Sequence, residues 1–245
     1  RNLAKRGFTQ SYTYFTWRNT AWEIRQYFEE LTRTEVREYL RPNLWPNTPD
    51  ILPEYLQFGG PPAFRARAVL AATLGASWGV YGPAFELCQN RALRSRSEEY
   101  VDSEKYELRH WDLEAPRSIA DLIPRLNQIR RENPALQSDW SLRFHPVTND
   151  ELLCYSKATE DLRNVVVVVV NLSPYHSHSG WVDLTLDELG LDPNVQYQVH
   201  DLLGDARYLW PRSRNYVELN PQMSPAHIFV VRRYVRREHD FDYFM

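Results

Sequence analysis

Three times within the first 138 residues, a short run of aromatic, β-branched or apolar residues gives way to a stretch whose apolar positions recur with a helical period. The first run, "FTQSYTYFTW", suits a buried strand. The stretch after it opens on Thr20 and Glu23, the Thr-x-x-Glu spacing in which each side chain answers a backbone donor at a helix start. Ile24, Tyr27, Phe28 and Leu31 then fall at i, i+3, i+4 and i+7, and the helix is predicted to continue until Arg41-Pro42 stops it. Next, "RPNLWPNTPDI" predicts a short strand with its loop. "PPAFRARAVLAATLGAS" begins with prolines, tolerated in a first helical turn, and carries Phe64, Ala68, Ala71 and Ala72 as a small-residue face for close packing on a sheet. "WGVYGPAFEL" is the third strand candidate. A long polar loop separates it from a helix opened by Ser118 and Asp121, with Ile119, Leu122, Ile123, Leu126 and Ile129 on one face and a stop at Asn133-Pro134.

Strands alternating with amphipathic helices predict a parallel sheet, and such folds place chemistry in the loops at the strand C-terminal ends, where "NTPD" and "FELCQN" fall. From about residue 139 the pattern changes. The turn Thr148-Asn149-Asp150 separates two strand candidates, Val165 to Val170 is an unbroken valine run of the kind found in strands covered on both faces, and "AHIFVVRR" supplies a further strand. The predicted architecture is α/β then all-β: residues 1–138 as three β-α units, 139–234 as a β-sandwich, and 235–245, charged with aromatics interspersed, as a tail. With no repeat or low-complexity linker between them, the two parts are expected to pack directly on each other. The opening "RNLAKRGF" reads as the end of a helix running into Gly7, so a piece of a longer protein is expected.

The charge balance, 29 basic against 32 acidic residues for a net charge of -3, gives no reason to expect a nucleic-acid or acidic-membrane partner. Cys88 and Cys154 lie far apart without metal-ligand spacing, which argues against a disulfide framework and suits a reducing cytoplasm. No apolar run approaches the ~20 residues that span a bilayer, and no signal-peptide pattern opens the chain. A cytoplasmic protein with no membrane partner, no metal and no cofactor is therefore expected. His176 and His178 in "YHSHSG" read as part of a solvated β-hairpin, not as a ligand set.

Neither a Ser-His-Asp grouping nor a phosphate-cradling glycine motif is present at useful spacing, and Gly59-Gly60 in "FGGPPAF" reads as structural. Two candidates remain. Asp50 follows a predicted strand, where a carboxylate could serve an active site, although Asn, Thr, Pro and Asp in a row also make an ordinary turn. Lys105 and Tyr106 in "DSEKYE" belong to a long loop, either a binding element or a solvated connection. The 8 tryptophans and 15 tyrosines offer flat faces suited to sugar rings, or simply a core.

Taken together and in this order, "GFTQSYTYFTWRNT", "RPNLWPNTPDI", "FELCQN" and "EYVDSEKYELRHWDLE" resemble the alpha-1,4-glucan:maltose-1-phosphate maltosyltransferases of the alpha-amylase superfamily, glycoside hydrolase family 13. The resemblance implies the C-terminal part of a (β/α)8 TIM barrel followed by a β-sandwich domain. It implies transfer of a maltosyl unit from alpha-maltose 1-phosphate to the non-reducing end of an alpha-1,4-glucan, with release of phosphate and retention of configuration, by a parent protein that is a homodimer. Asp50 matches the superfamily's third acidic residue, which grips the reacting sugar's hydroxyls and stabilises the transition state. Lys105 and Tyr106 match the pair that contacts the donor maltose. The nucleophilic Asp and the acid/base Glu of the family would lie before residue 1, so the chain alone is expected to be inactive. Two other readings stay open: another superfamily hydrolase or transferase, and a non-catalytic glucan-binding module.

Overall fold

The computed structural model describes residues 1–8, 10–104 and 108–233. The chain opens with a helical turn, α1 (Asn2–Lys5), which ends at Gly7 with φ 98°, a left-handed conformation that glycine adopts without strain. Strands β1 (Ser11–Tyr12), β2 (Pro42–Leu44) and β3 (Ser77–Trp78) then form a parallel sheet in that order, with Ser11 opposite Pro42 and Asn43 opposite Ser77. Two of these strands are shorter than their sequences suggest. After Tyr12 the chain turns into a tight helical coil over Tyr14–Trp17, and after Trp78 it leaves the sheet, with the Gly79 amide on the Leu44 carbonyl (3.0 Å) and the Tyr81 amide on the Asn47 side chain (2.9 Å). Side chains from other elements capture the backbone that local propensity would have left extended.

Helix α2 (Ala21–Arg33) starts as its spacing predicts. Thr20 Oγ1 accepts from the Glu23 amide (3.2 Å) and Glu23 Oε2 accepts from the Thr20 amide (3.0 Å), while Ile24, Phe28 and Leu31 are buried. It stops earlier than the expected end at Arg41-Pro42. Thr34 donates its hydroxyl to the Glu30 carbonyl (2.6 Å), and the chain restarts as α3 (Val36–Tyr39). Helix α4 (Glu54–Leu74) is broken at Gly60 (φ 59°, ψ -156°), so Pro61 and Pro62 open a second helical segment in the positions where proline costs least. Every residue from Ala66 to Leu74 is buried, more than the single small-residue face expected. A helix buried all round needs neighbours on every side. Here they are β3, the sixth strand of the chain, and α5 (Leu122–Glu132).

The remainder is antiparallel. Strands β4 (Arg143–His145), β5 (Leu152–Ala158), β6 (Val165–Asn171), β8 (Tyr197–Asp201), β9 (Arg207–Trp210) and β11 (Ala226–Arg232) form one sheet in the order β4-β5-β6-β11-β8-β9; β7 (His178–Asp183) and β10 (Arg214–Leu219) pair as a second sheet. The valine run behaves as its composition predicts. Val166, Val168 and Val170 join the apolar cluster that contains α4, and Val165, Val167 and Val169 face the other sheet with Val182, Val217 and Phe229. The segment holding His176 and His178 is not a hairpin: β7 pairs with β10, not with β6, so this stretch carries the chain from one sheet to the other. Strand β6 is already flanked by β5 and β11, which leaves β7 no edge to join there. The segment 235–245, expected as a tail, lies outside the described residues.

At the C-terminal end of α4, backbone carbonyls that a helix cannot satisfy by itself are answered from both halves of the molecule. Arg130 of α5 donates to the carbonyls of Gly75 (3.1 Å) and Ala76 (2.6 Å), and Lys157 of β5 donates to that of Leu74 (3.2 Å). One residue before Leu74, Thr73 Oγ1 meets the Tyr155 hydroxyl at 2.6 Å. Lys157 is buried 3.6 Å from Asp139, and desolvation lowers its pKa to about 8 against the pull of that carboxylate. Asp139→Asn strands a buried cation and is expected to cost about 3–5 kcal/mol in urea unfolding at neutral pH. Since Lys157 binds its proton less firmly in the folded chain than in the unfolded one, its contribution to stability rises with pH between about 8 and 10.5. Lys157→Met should flatten that part of the stability profile.

Candidate functional site

The three parallel strands point their C-terminal ends at one group of loops. The first, after β1, is shaped from beneath by Arg67 of α4, whose guanidinium donates to the carbonyls of Arg18 (2.6 Å) and Phe15 (2.5 Å) and lies 3.8 Å from the centre of the Phe15 ring. Arg67 is 2% exposed, and burial lowers its pKa to about 10, still well above neutrality. The same loop is tied to the second by Thr16, which donates to the Trp45 carbonyl (2.7 Å), and by the Tyr12 and Trp45 rings, 5.6 Å apart. Of the aromatic run here, Phe15 is core while Tyr12 and Tyr14 are exposed, so neither simple reading of that run holds throughout.

Asp50 sits in the second loop, in a tight turn. The amides of Thr48 and Ile51 each donate to the other's carbonyl (3.1 and 3.2 Å), and Thr48 Oγ1 donates to Asp50 Oδ1 (2.8 Å). The turn presents the carboxylate on the exposed rim beyond β2. Just before it, Asn47 is fully buried. Its Nδ2 donates to the Tyr81 carbonyl (3.2 Å) and the Tyr100 hydroxyl (2.8 Å), and its Oδ1 accepts from the Tyr81 amide (2.9 Å). Just after it, the Leu52 amide donates to the Glu98 carbonyl (2.6 Å), and Gln57 Nε2 bridges the carbonyls of Leu52 and Ser97 (2.8 and 2.9 Å).

The loop after β3 closes on this turn from the other side. Ser103 Oγ reaches the Pro49 carbonyl at 3.5 Å, and Glu104 accepts from the Tyr81 hydroxyl and from Trp111 Nε1 (3.1 Å). Those two donors hold the Glu104 carboxyl below the usual carboxylate range. Lys105 and Tyr106 themselves lie outside the described residues, although the loop that leads into them is fastened beside the Asp50 turn. Among the described residues, no group of three or more His, Cys, Asp or Glu side chains is arranged to hold a metal ion. A groove of about 770 Å³, lined by Arg33, Arg37, Trp140, Arg143 and Glu188, opens where α2 ends, away from the strand-end rim.

Sequence reasoning named Asp50 but passed over Asn47, Tyr81, Glu104 and Arg67. Arg67 carried a signal: an arginine in an otherwise apolar helix is rarely buried without partners, so it implied carbonyls to be satisfied. Asn47 carried a weaker one, since Asn before Thr-Pro is also ordinary turn chemistry.

Residues 144–231 match the family model described as GLGE, C-terminal. Over 227 residues, 93% of the chain, the sequence is 50% identical to the alpha-1,4-glucan:maltose-1-phosphate maltosyltransferase of Methylacidiphilum infernorum and covers 34% of it. Identity is 49% over 242 residues to the maltosyltransferase of Myxococcus xanthus (99% of this chain, 36% of the relative) and 52% over 235 residues to maltosyltransferase 2 of Streptomyces coelicolor (94% and 34%). The chain thus spans about a third of the length of the curated relatives it matches. Among solved structures, a maltogenic alpha-amylase of Thermotoga neapolitana superposes with a TM-score of 0.65 at 13% identity, covering 94% of this chain and 52% of that one. An alpha-amylase of Malbranchea cinnamomea does so at 0.59 and 15%, covering 88% and 43%. At such low identity the likeness is one of fold: this chain is built like part of the alpha-amylases.

The strand-end loops depend on Arg67 for their base. Arg67→Met removes the guanidinium donor of the Arg18 carbonyl and one of the two donors to the Phe15 carbonyl, and is expected to lower stability by about 1–3 kcal/mol in denaturant unfolding.

Proposed function

We propose that this chain is part of a retaining maltosyltransferase, supplying the strand-end rim around Asp50 and the C-terminal β-sandwich. The observation that carries the reading is the identity of about half of all positions to maltosyltransferases across both the parallel-sheet and the antiparallel halves. On this reading residues 1–138 are the last three units of a (β/α)8 barrel and 139–234 the sandwich. The likeness to alpha-amylase folds supports it, as do three parallel strands each followed by a helix.

The reaction proceeds by two displacements, each inverting the anomeric carbon. A carboxylate attacks that carbon of alpha-maltose 1-phosphate as the bond to the phosphate oxygen breaks, and an acid protonates the leaving oxygen. The non-reducing-end hydroxyl of an alpha-1,4-glucan then attacks the anomeric carbon of the maltosyl-enzyme, the bond to the carboxylate breaks and frees that carboxylate, and the hydroxyl's proton goes to the group that served as acid, now a base. Both reacting carboxylates come from outside this chain. Asp50 contributes a fixed negative group that binds the sugar hydroxyls more strongly as the ring flattens, which lowers the barrier by differential binding. Lys105 and Tyr106 contact the donor maltose. What supports Asp50 in its role is an exposed carboxylate on a doubly hydrogen-bonded turn at a strand C-terminal end, bordered by the loop that leads to Lys105. The working compartment is the cytoplasm, and no described helix is long and apolar enough to cross a membrane.

In the full-length protein, Asp50→Asn is expected to lower the rate of phosphate release from alpha-maltose 1-phosphate by about 10²–10³-fold, as for loss of one transition-state contact, while thermal unfolding stays near wild type. The 245-residue chain by itself should release no phosphate in the same assay. Full turnover by the Asn variant would remove Asp50 from the mechanism.

A further inference from the structure

We infer that Asn47 is the positioning residue for Asp50, setting the turn that carries the carboxylate against the loops that follow β3. The inference rests on the reading of Asp50 just given. Asn47 lies three residues before Asp50 and is 0% exposed, yet none of its three hydrogen bonds goes to its own loop. Two clasp the backbone of Tyr81 on both sides, the carbonyl and the amide, as a neighbouring strand would; the third takes the Tyr100 hydroxyl.

Tyr81 is the hub of this arrangement. Its backbone is held by Asn47, its ring packs edge-on against that of Tyr100 (5.8 Å between centres), and its hydroxyl is bound by Glu104, which also accepts from Trp111. A change at the amide of Asn47 therefore reaches Glu104 through one rigid aromatic residue. The Asp50 side chain, by contrast, bonds to Thr48 within its own turn. That turn cannot fix its own distance from the opposite loops. The 3.5 Å approach of Ser103 to the Pro49 carbonyl, the Leu52–Glu98 backbone bond and the Gln57 bridge between Leu52 and Ser97 tie the flanks of the turn to the opposite loop; Asn47 ties it to Tyr81 and Tyr100.

If so, loss of the Asn47 amide should act through Asp50 and only through it. In the full-length protein, Asn47→Ala is expected to lower kcat for phosphate release from alpha-maltose 1-phosphate by about 10²-fold with KM for the donor little changed, the effect of an ångström-scale displacement of a transition-state contact. In an Asp50→Asn background the same change should add less than about threefold, because the group it positions is already gone. Tyr100→Phe, which deletes one acceptor and keeps the ring, should give a smaller loss of about tenfold in protein that remains folded at the assay temperature, again absent beside Asp50→Asn. That variant decides the matter if Asn47→Ala does not fold. Losses that multiply in the double variants, or wild-type turnover by folded Asn47→Ala or Tyr100→Phe protein, overturn the inference and leave the role of Asp50 standing. Wild-type turnover by Asp50→Asn alone overturns both.

Discussion

A helix with no solvent face is the constraint from which the rest of this molecule follows. From Ala66 to Leu74, α4 is buried on all sides, so the parallel sheet, α5 and the face of β6 must each supply part of its surroundings. The carbonyls at and just beyond its end are met by Arg130 and Lys157, one from α5 and one from β5. An arginine and a lysine at a helix C-terminus also face the negative end of its dipole, which favours them there. The two sheets are thus registered against a single rod, and one apolar cluster runs from Ile24 and Phe28 of α2 through α4 to Val166 and Val168 of β6. Arg67 on the same rod extends this control to the other end, where it holds the loop after β1.

Much of this was legible from local patterns. The Thr20–Glu23 capping box, the stripe of α2, the prolines restarting α4 and the doubly covered valine strand each express a rule that acts within a few residues or within one element, and each is realised. What could not be read were the outcomes of competition between distant groups. The aromatic run before Trp17 favours a strand by propensity, but Arg67, far along the chain, takes the Phe15 and Arg18 carbonyls that a longer strand would need. The stretch after Trp78 is shortened likewise by Asn47. Pairing of β7 with β10 instead of β6 follows from strand order, which no single segment encodes.

The same division runs through the candidate site. Asp50 was visible because a carboxylate after a strand is a local signal. Its supports were not, because Asn47, Tyr81, Tyr100 and Glu104 act across loops and each is an unremarked residue in its own segment. On the proposed role of Asp50, chemistry and positioning fall to different residues, for a physical reason. A group that must grip a sugar as its charge changes has to remain accessible and keep acceptor capacity free, beyond the one bond Asp50 takes from Thr48. The structural burden falls on a neighbour that is buried and saturated.

That this neighbour is an amide follows from the electrostatics of the place. The Asp50 turn could be fastened equally well by a lysine or arginine, but a cation within a few ångströms of a working carboxylate attracts it at several kcal/mol at the effective dielectric of a protein surface. Such an attraction competes with the contacts the carboxylate would make to a ligand. A carboxylate in the same position would repel it instead and, once buried, would carry a desolvation cost of its own. An asparagine supplies two donors and an acceptor with no net charge, enough to clasp the amide and the carbonyl of one residue and one hydroxyl. It therefore sets distance without adding a field. At the far end of α4 the opposite choice holds: carbonyls with partial negative charge and no ligand to serve are met by full cations, where attraction is the whole purpose.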